Sequence, residues 1–351
     1  MRRAGGSGHR RSRVAGAGEG VRPVAAKVVF SPGNRKILFV LAGMLALVFV
    51  FVGSNVAANH EPRPHGLPLG IAGPPPAVAA VTGQLDRRAP GAFAVQGYGS
   101  PAAARSAILH RSIDGALEPG PRPVLLIADA ASSFVAALLQ QTFQAAAHAQ
   151  GQRLTVHDLA PLPPSDPTGA TSFSATLSLI IVGILGTSMI YLVTRNRALA
   201  VRLTALVILA AGAGLLTALV TNVVVGAFSG HFLAIWGVAT LFVLAMVMPI
   251  AAFQVLLGLP GTAVGLLVFV VVGDPSSGGS TAPQLLPNPW RAISQGLPPG
   301  AAATAMRDVV YFQGYGSTRA LLTLGAYAVL GAIAAVTVNR LRPPATATNP
   351  G

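Results

Sequence analysis

The chain contains no cysteine and little charge. With no thiol available, a disulfide, a cysteine nucleophile and a cysteine-ligated zinc site are all excluded, and the redox compartment stays open. Only 10% of the 351 residues are charged, against about 25% in an ordinary soluble domain. Acids are scarcest, with 10 Asp and Glu facing 24 Lys and Arg. Catalytic signatures are missing as well: there is no G-x-x-x-x-G-K-[ST] phosphate loop, no G-x-S-x-G and no H-E-x-x-H. The chain therefore lacks that device for binding ATP. No nucleophile and base stand at recognisable spacing, so it is not expected to be an enzyme. "HEPRPH" offers His60, Glu61 and His65, but Pro62 and Pro64 forbid the helical face that would bring them together. Neither a metal nor any other cofactor is expected.

What is abundant is apolar sequence, at 52% of residues. Runs of about 17 to 25 apolar residues cross a bilayer core. Five stretches qualify, 37–53, 173–193, 203–228, 232–257 with Pro249 inside it, and 320–338, and 262–273, fifth in chain order, makes a sixth span, short unless residues from 256 onward join it. The fourth and fifth are the least secure pair. Read as one broken helix, they would move the C-terminus to the other side.

Lysine and arginine accumulate on the cytoplasmic side of short loops. Arg2, Arg3, Arg10, Arg11, Arg13, Arg22, Lys27, Arg35 and Lys36 precede the first span. Arg195, Arg197 and Arg202 lie between the second and third, and Arg340 and Arg342 follow the last. Six crossings put all of these on one side with only Glu19 against them, so both termini are expected in the cytoplasm. Anionic lipid of the inner leaflet is a second role for this charge. Nucleic-acid binding is not expected, because the basic tail lacks interleaved aromatics and no DNA-binding motif accompanies it. The first span also has the alternative of a signal peptide, with Val56 and Ala58 in a small-residue cleavage pattern. Its length and its long leader argue for an uncleaved anchor.

The organisation that follows is a basic segment 1–36, a span 37–53, an external segment 54–171, four spans within 172–273, an external segment 274–319, a last span 320–338 and a tail 339–351. The opening third of 54–171, with "EPRPHGLPLGIAGPPP", reads as a proline and glycine stalk unable to sustain a helix or a central strand. From Gly91 onward the pattern alternates. "AFAVQGY" is a strand, "SPAAARSAILHRS" a helix with Ser100 as N-cap and Pro101 at its first position, and "IDGALEP" a short strand. "PVLLIADA" is a buried strand, "SSFVAALLQQTFQAAAHAQ" a helix with Val135, Leu138, Leu139 and Phe143 on its apolar stripe, and "RLTVHDL" a last strand. Two strand-helix-strand units imply a small α/β domain with some parallel pairing. Pro161, Pro163, Pro164 and Pro167 then form a stiff collar before the second span. In 274–319, expected as an extracytoplasmic re-entrant or surface segment, "GDPSSGGSTAPQ" reads as flexible and a helix is expected over 301–312, lying on the outer membrane surface in the second case. "QGYGS" occurs at 96–100 and again at 313–317, which reads as reused turn chemistry.

Within these boundaries the spans hold no Asp, Glu, Lys, Arg or His, which argues against self-powered ion- or proton-driven transport. Their polar residues include Thr187, Ser188, Thr217, Thr221, Asn222 and Gln254. Two readings are open: helix-to-helix hydrogen bonds beside small residues such as Gly183, Gly186, Gly212 and Gly214, or a polar lining for a substrate path. Thr217, Thr221, Asn222 and Gln254 are the lining candidates. Asn222 leads them, because a buried amide needs several partners.

The segments "HDLAPLPPSDPTG", "SPAAARSAILHRSIDGAL" and "LPNPWRAISQGLPPGAAATAMRDVVYF", set among one span, a large external segment and five further spans, resemble ABC-2-type exporter permeases. Within that family the likeness is to actinobacterial members of the phage-infection-protein (Pip/YhgE-like) branch, and it covers nearly the whole chain after residue 30. It implies a six-helix exporter bundle in the plasma membrane, working as a homodimer with a separate ATP-binding subunit. It further implies that the loop 194–202, with Arg195, Arg197 and Arg202, couples to that subunit, while "VAAKVVFSPGNRK" lies along the inner surface. On the residues alone, the three arginines have orientation as their other role. Two classes of function follow: a permease-like subunit exporting a hydrophobic or amphipathic molecule, or a membrane-anchored receptor, scaffold or envelope-assembly protein acting through its external domain.

Overall fold

The computed structural model describes residues 35–279 and 281–341. The basic segment before Arg35, including "VAAKVVFSPG", and Arg342 with the rest of the tail lie outside the described residues. The first helix, α1, spans Arg35–Asn59 and is apolar almost throughout. Contacts divide the chain between Phe49 and Val50, inside this helix. In the later part of α1, Ala58 is buried, and Ser54 Oγ accepts a hydrogen bond from Trp290 Nε1 at 3.1 Å.

The segment read as a stalk is instead structured. Residues Leu67–Ala72 form strand β1 and Pro75–Arg88 form helix α2, followed by β2 (Phe93–Tyr98), α3 (Pro101–Leu109), β3 (Gly115–Glu118), β4 (Val124–Ile127), α4 (Ser133–Ala149) and β5 (Thr155–Asp158). The five strands make one sheet in the order β2-β1-β3-β4-β5. β1 pairs in parallel with both β2 and β3, β3 meets β4 antiparallel, and β4 pairs β5 in parallel. Thus β1 lies inside the sheet despite its proline and glycine. Pro68 sits one residue ahead of the β1–β3 pairing that starts at Leu69↔Gly115, so its missing N–H removes no ladder bond. Gly70 is needed for space: a Cβ there would lie 2.6 Å from Ile113 Cδ1 and 3.1 Å from Tyr98 Cε2. Pro75 and Pro76 open α2, where absent N–H groups cost nothing. Leu67, Leu69, Ile71, Leu125 and Ile127 pack one face against Val135, Leu139 and Phe143 of α4, while Leu138 is only partly buried. The expected cap at Ser100 is present, and Ser132 is a second one. Ser100 Oγ accepts from Ala103 N and Ser132 Oγ from Val135 N, each at 3.2 Å.

The proline-rich collar does more than stop the sheet. Asp166, 5% exposed, accepts from Ala170 N at 2.9 Å and from Thr171 N at 3.1 Å, which satisfies two amides at the start of the next helix. Replacing Asp166 with alanine is expected to cost about 1–2 kcal/mol, read as a lower thermal midpoint of the detergent-solubilised protein. Asp166→Asn, which keeps one acceptor, should lose less.

Four long apolar helices follow or close the chain: α5 (Ala170–Thr194), α6 (Leu199–Val224, its last turn π-helical), α7 (Phe232–Leu257) and, after the shorter α8 (Pro260–Ser276), α9 (Trp290–Ile293) and α10 (Pro298–Tyr311), the last helix α11 (Ser317–Leu341). With α1, five helices among the described residues are long and apolar enough to cross a membrane. The fifth expected span, 262–273, belongs to α8, which is shorter than these and π-helical over Leu267–Val272. α7 is the central helix, packed by α5, α6, α8, α10 and α11, and its Phe242, Met246 and Ile250 are fully enclosed. Gly186 meets Leu209 and Gly214 meets the backbone of Trp236, as expected for small residues at helix contacts, whereas Gly212 faces open space.

Two expectations about 274–319 fail. "GDPSSGGSTAPQ" is held rather than loose: Ser276 and Ser277 are buried, Ala282 and Leu285 join the sheet's core, and the Gln284 and Leu285 carbonyls accept from His65 N and Arg63 N. Of the two alternatives for the helix after it, re-entrant or surface, the surface position does not hold. Ala301, Ala302, Ala305 and Met306 of α10 are buried in the helical core, because this alanine-rich face is narrow enough to insert between α5, α7 and α11.

Candidate functional site

Where the sheet's loops meet α10, four charged residues, Arg111, Asp114, Arg307 and Asp308, come together. The α3 helix ends in a Schellman-type turn, with Ser112 N bonded to Ala107 O and Arg111 N to Ile108 O. Arg111 occupies the left-handed position of that turn at φ 61°, where glycine is the usual residue. Its side chain is held by what it reaches. Arg111 Nε donates to Asp308 Oδ1 at 3.0 Å, Nη1 stands 3.7 Å from Asp114 Oδ1, and the guanidinium lies 4.8 Å over the Phe312 ring. Asp308, on α10, is 1% exposed. Burial pushes its carboxyl up to about 6 against the pull of Arg111, and burial raises Asp114 as well. A residue of the sheet region is thus tied by a buried ion pair to a helix inserted in the bundle.

Beside this pair lies a cavity of about 290 Å³, lined among others by Asp129, Ser132, Thr168, Thr281, Arg307 and Tyr311. A smaller one of about 170 Å³ touches Arg111, Asp114 and Gln295, and Arg307 borders both. The loop after β4 is braced around the larger cavity. Asp158 Oδ1 accepts from Asp129 N at 3.2 Å and Ala160 N at 3.0 Å, Ser132 Oγ donates to the Thr281 carbonyl, and Ser133 Oγ donates to the Thr168 carbonyl at 3.0 Å. Arg307 Nε donates to Ser172 Oγ at 3.2 Å and its Nη2 to the Gly279 carbonyl. Burial, and after it the nearby Arg111 charge, lowers Arg307 to about 10, while burial raises the Tyr311 phenol to about 12.

None of these residues was singled out from sequence, although "AMRDVVY" carried a signal: an Arg-Asp pair in a helix otherwise suited to burial. The expected site residues lie elsewhere and do not converge. Thr217 and Thr221 line a groove of about 500 Å³ between α5 and α6, with Ser174, Ser178, Leu179 and Leu216. Both hydroxyls are spent on helical carbonyls four residues back, at 2.8 and 2.9 Å. Asn222 is outside the groove lining. It donates to the Ala218 carbonyl and accepts from His231 N at 3.1 Å, closing the turn into α7. His231 itself precedes that helix. Gln254 is separate again, donating to Thr262 Oγ1 at 2.9 Å across the α7–α8 contact.

At the opposite end of α6, Arg195 and Arg197 are exposed in the short turn after α5. Arg202 is buried: its Nε donates to Thr194 Oγ1 at 3.3 Å and its guanidinium covers the Tyr191 ring at 4.7 Å. It lies in the first turn of α6, one residue ahead of the apolar run that begins at Leu203. A guanidinium near a helix end satisfies itself locally instead of reaching outward. A scan against protein-family models found no match for the chain, and searches among curated proteins and solved structures found none either.

Proposed function

We propose that this chain is a permease-like membrane subunit that exports a hydrophobic or amphipathic molecule, powered by a separate ATP-binding subunit, with a six-crossing bundle of the ABC-2 exporter type. On this reading it works as a homodimer in the plasma membrane, both termini are cytoplasmic, and the sheet is a small extracytoplasmic α/β domain. α8 is the fifth crossing. Its length of about 25 Å is close to the roughly 30 Å hydrocarbon core, and its glycines track along α7, Gly261 against Phe253 and Gly265 against Ile250.

The observation that carries the reading is the α5–α6 groove of about 500 Å³. Its walls are apolar, with Ser and Thr hydroxyls interspersed, which suits the chain of an amphipathic molecule. A second reading, receptor or scaffold, is favoured by Arg202. Folded onto Tyr191 and Thr194, it leaves only Arg195 and Arg197 to meet a coupling partner. The test is purification of the tagged protein from its own host in mild detergent, with mass spectrometry of what stays bound. A stoichiometric ATP-binding subunit, lost in the Arg195→Ala/Arg197→Ala variant, is the expected result. Repeated recovery without one, or with envelope proteins held by residues 91–160, would establish the receptor or scaffold instead.

A further inference from the structure

We infer that the cavity beside Arg307 binds a phosphoryl oxyanion, either free phosphate or the phosphodiester of a lipid headgroup. Arg307 brings a guanidinium to the cavity wall yet forms no ion pair among the described residues, and its two hydrogen bonds go to neutral oxygens. Asp308 and Asp166 act on its charge without bonding to it, and an anion bonded directly to the guanidinium would offset the cost of burying it.

Two hydroxyls of the same lining, Tyr311 Oη and Thr281 Oγ1, are buried without a partner among the described residues. Buried hydroxyls normally have one, and both are donors of the kind that charge-assisted bonds to oxyanions use. The start of α4 opens on the cavity through Ser132 and Ser133, adding positive potential from its amide end. Asp129 shares the lining. Burial raises its carboxyl, and the neighbouring Asp158 raises it further. Its charge, or its proton as a donor, favours a singly charged ligand such as dihydrogen phosphate or a phosphodiester over a multiply charged one.

The site's ligand is independent of whether an ATP-binding partner exists. The experiment is thermal unfolding of the full chain in phosphate-free maltoside micelles, titrated with inorganic phosphate or with short-chain phosphatidylglycerol. Saturable stabilisation by inorganic phosphate identifies a free anion, and stabilisation by phosphatidylglycerol alone identifies a headgroup. Arg307→Gln and Tyr311→Phe are each expected to weaken the response about tenfold or more. Tyr311→Phe removes only an unpartnered hydroxyl and should fold normally, so it decides the matter where Arg307→Gln does not fold. Stabilisation by neither ligand, or an unchanged response in Tyr311→Phe, overturns the proposal.

Discussion

Asp308→Ala is expected to cost about 3–5 kcal/mol of stability, because it leaves the Arg111 guanidinium largely buried without its main counter-charge. The bond between them is 3.0 Å long, with Asp308 side-chain exposure at 1% and Arg111 at 17%. Asp114, at 3.7 Å, is a poor substitute. Asp308→Asn removes the charge as well and keeps only an acceptor for Arg111 Nε, so it should lose somewhat less. The comparison, by chemical or thermal denaturation in detergent, separates charge from shape. Equal losses in the two variants would mean that the acceptor oxygen matters little.

The same carboxyl predicts a pH dependence. Unfolded it titrates near 3.8, and folded it is pushed up to about 6. Between those values the folded chain holds a proton that the unfolded chain has released. Asp308's contribution is therefore full below pH about 4 and is lost as pH rises through about 6. Asp114, raised by burial beside the same arginine, adds to that slope. Asp308→Asn should flatten most of it, while a slope unchanged in the variant would assign the dependence to other groups.

Gly331→Leu is the second large effect, with a loss of about 3 kcal/mol or more expected from overpacking. A Cβ at Gly331 would stand 2.5 Å from the nitrogen of Pro249 and 2.8 Å from the Met248 carbonyl carbon. These are backbone atoms of the central helix α7 and cannot turn aside as a side chain can. α11 would have to move off α7, where it now buries Ala320, Leu324 and Ala335. Gly325 is the control on the same helix. A Cβ there meets nothing within 4 Å, so Gly325→Ala should be neutral or stabilise by up to about 1 kcal/mol through helix propensity. The measurement is the thermal midpoint of each variant in one detergent. Equal midpoints would show that α11 does not rely on this close approach.

Local sequence was enough wherever the determining partners lie within a few residues. The long apolar helices follow from hydropathy, because an unbroken helix satisfies every backbone group without water. Ser100 and Ser132 cap α3 and α4 because a cap bonds an amide three residues on. The parallel pairing of β4 and β5 follows from the helix between them. The fourth and fifth runs are the least secure pair by length and by Pro249, and the fifth falls in α8, which is shorter than the five long helices among the described residues.

Tertiary structure alone decided the rest. Pro68 and Gly70 read locally as breakers, but the register with β3 leaves Pro68 no bond to lose, and the close approach of Ile113 and Tyr98 favours a glycine at Gly70. The small-residue face of α10 is equally suited to a surface or to an interior, and only the gap between α5, α7 and α11 buries it. Arg111 and Asp308 stand 197 residues apart, so no spacing rule joins them. Hydropathy and capping report on neighbours along the chain, whereas a buried ion pair and the cavity beside it depend on which distant segments close over the same space.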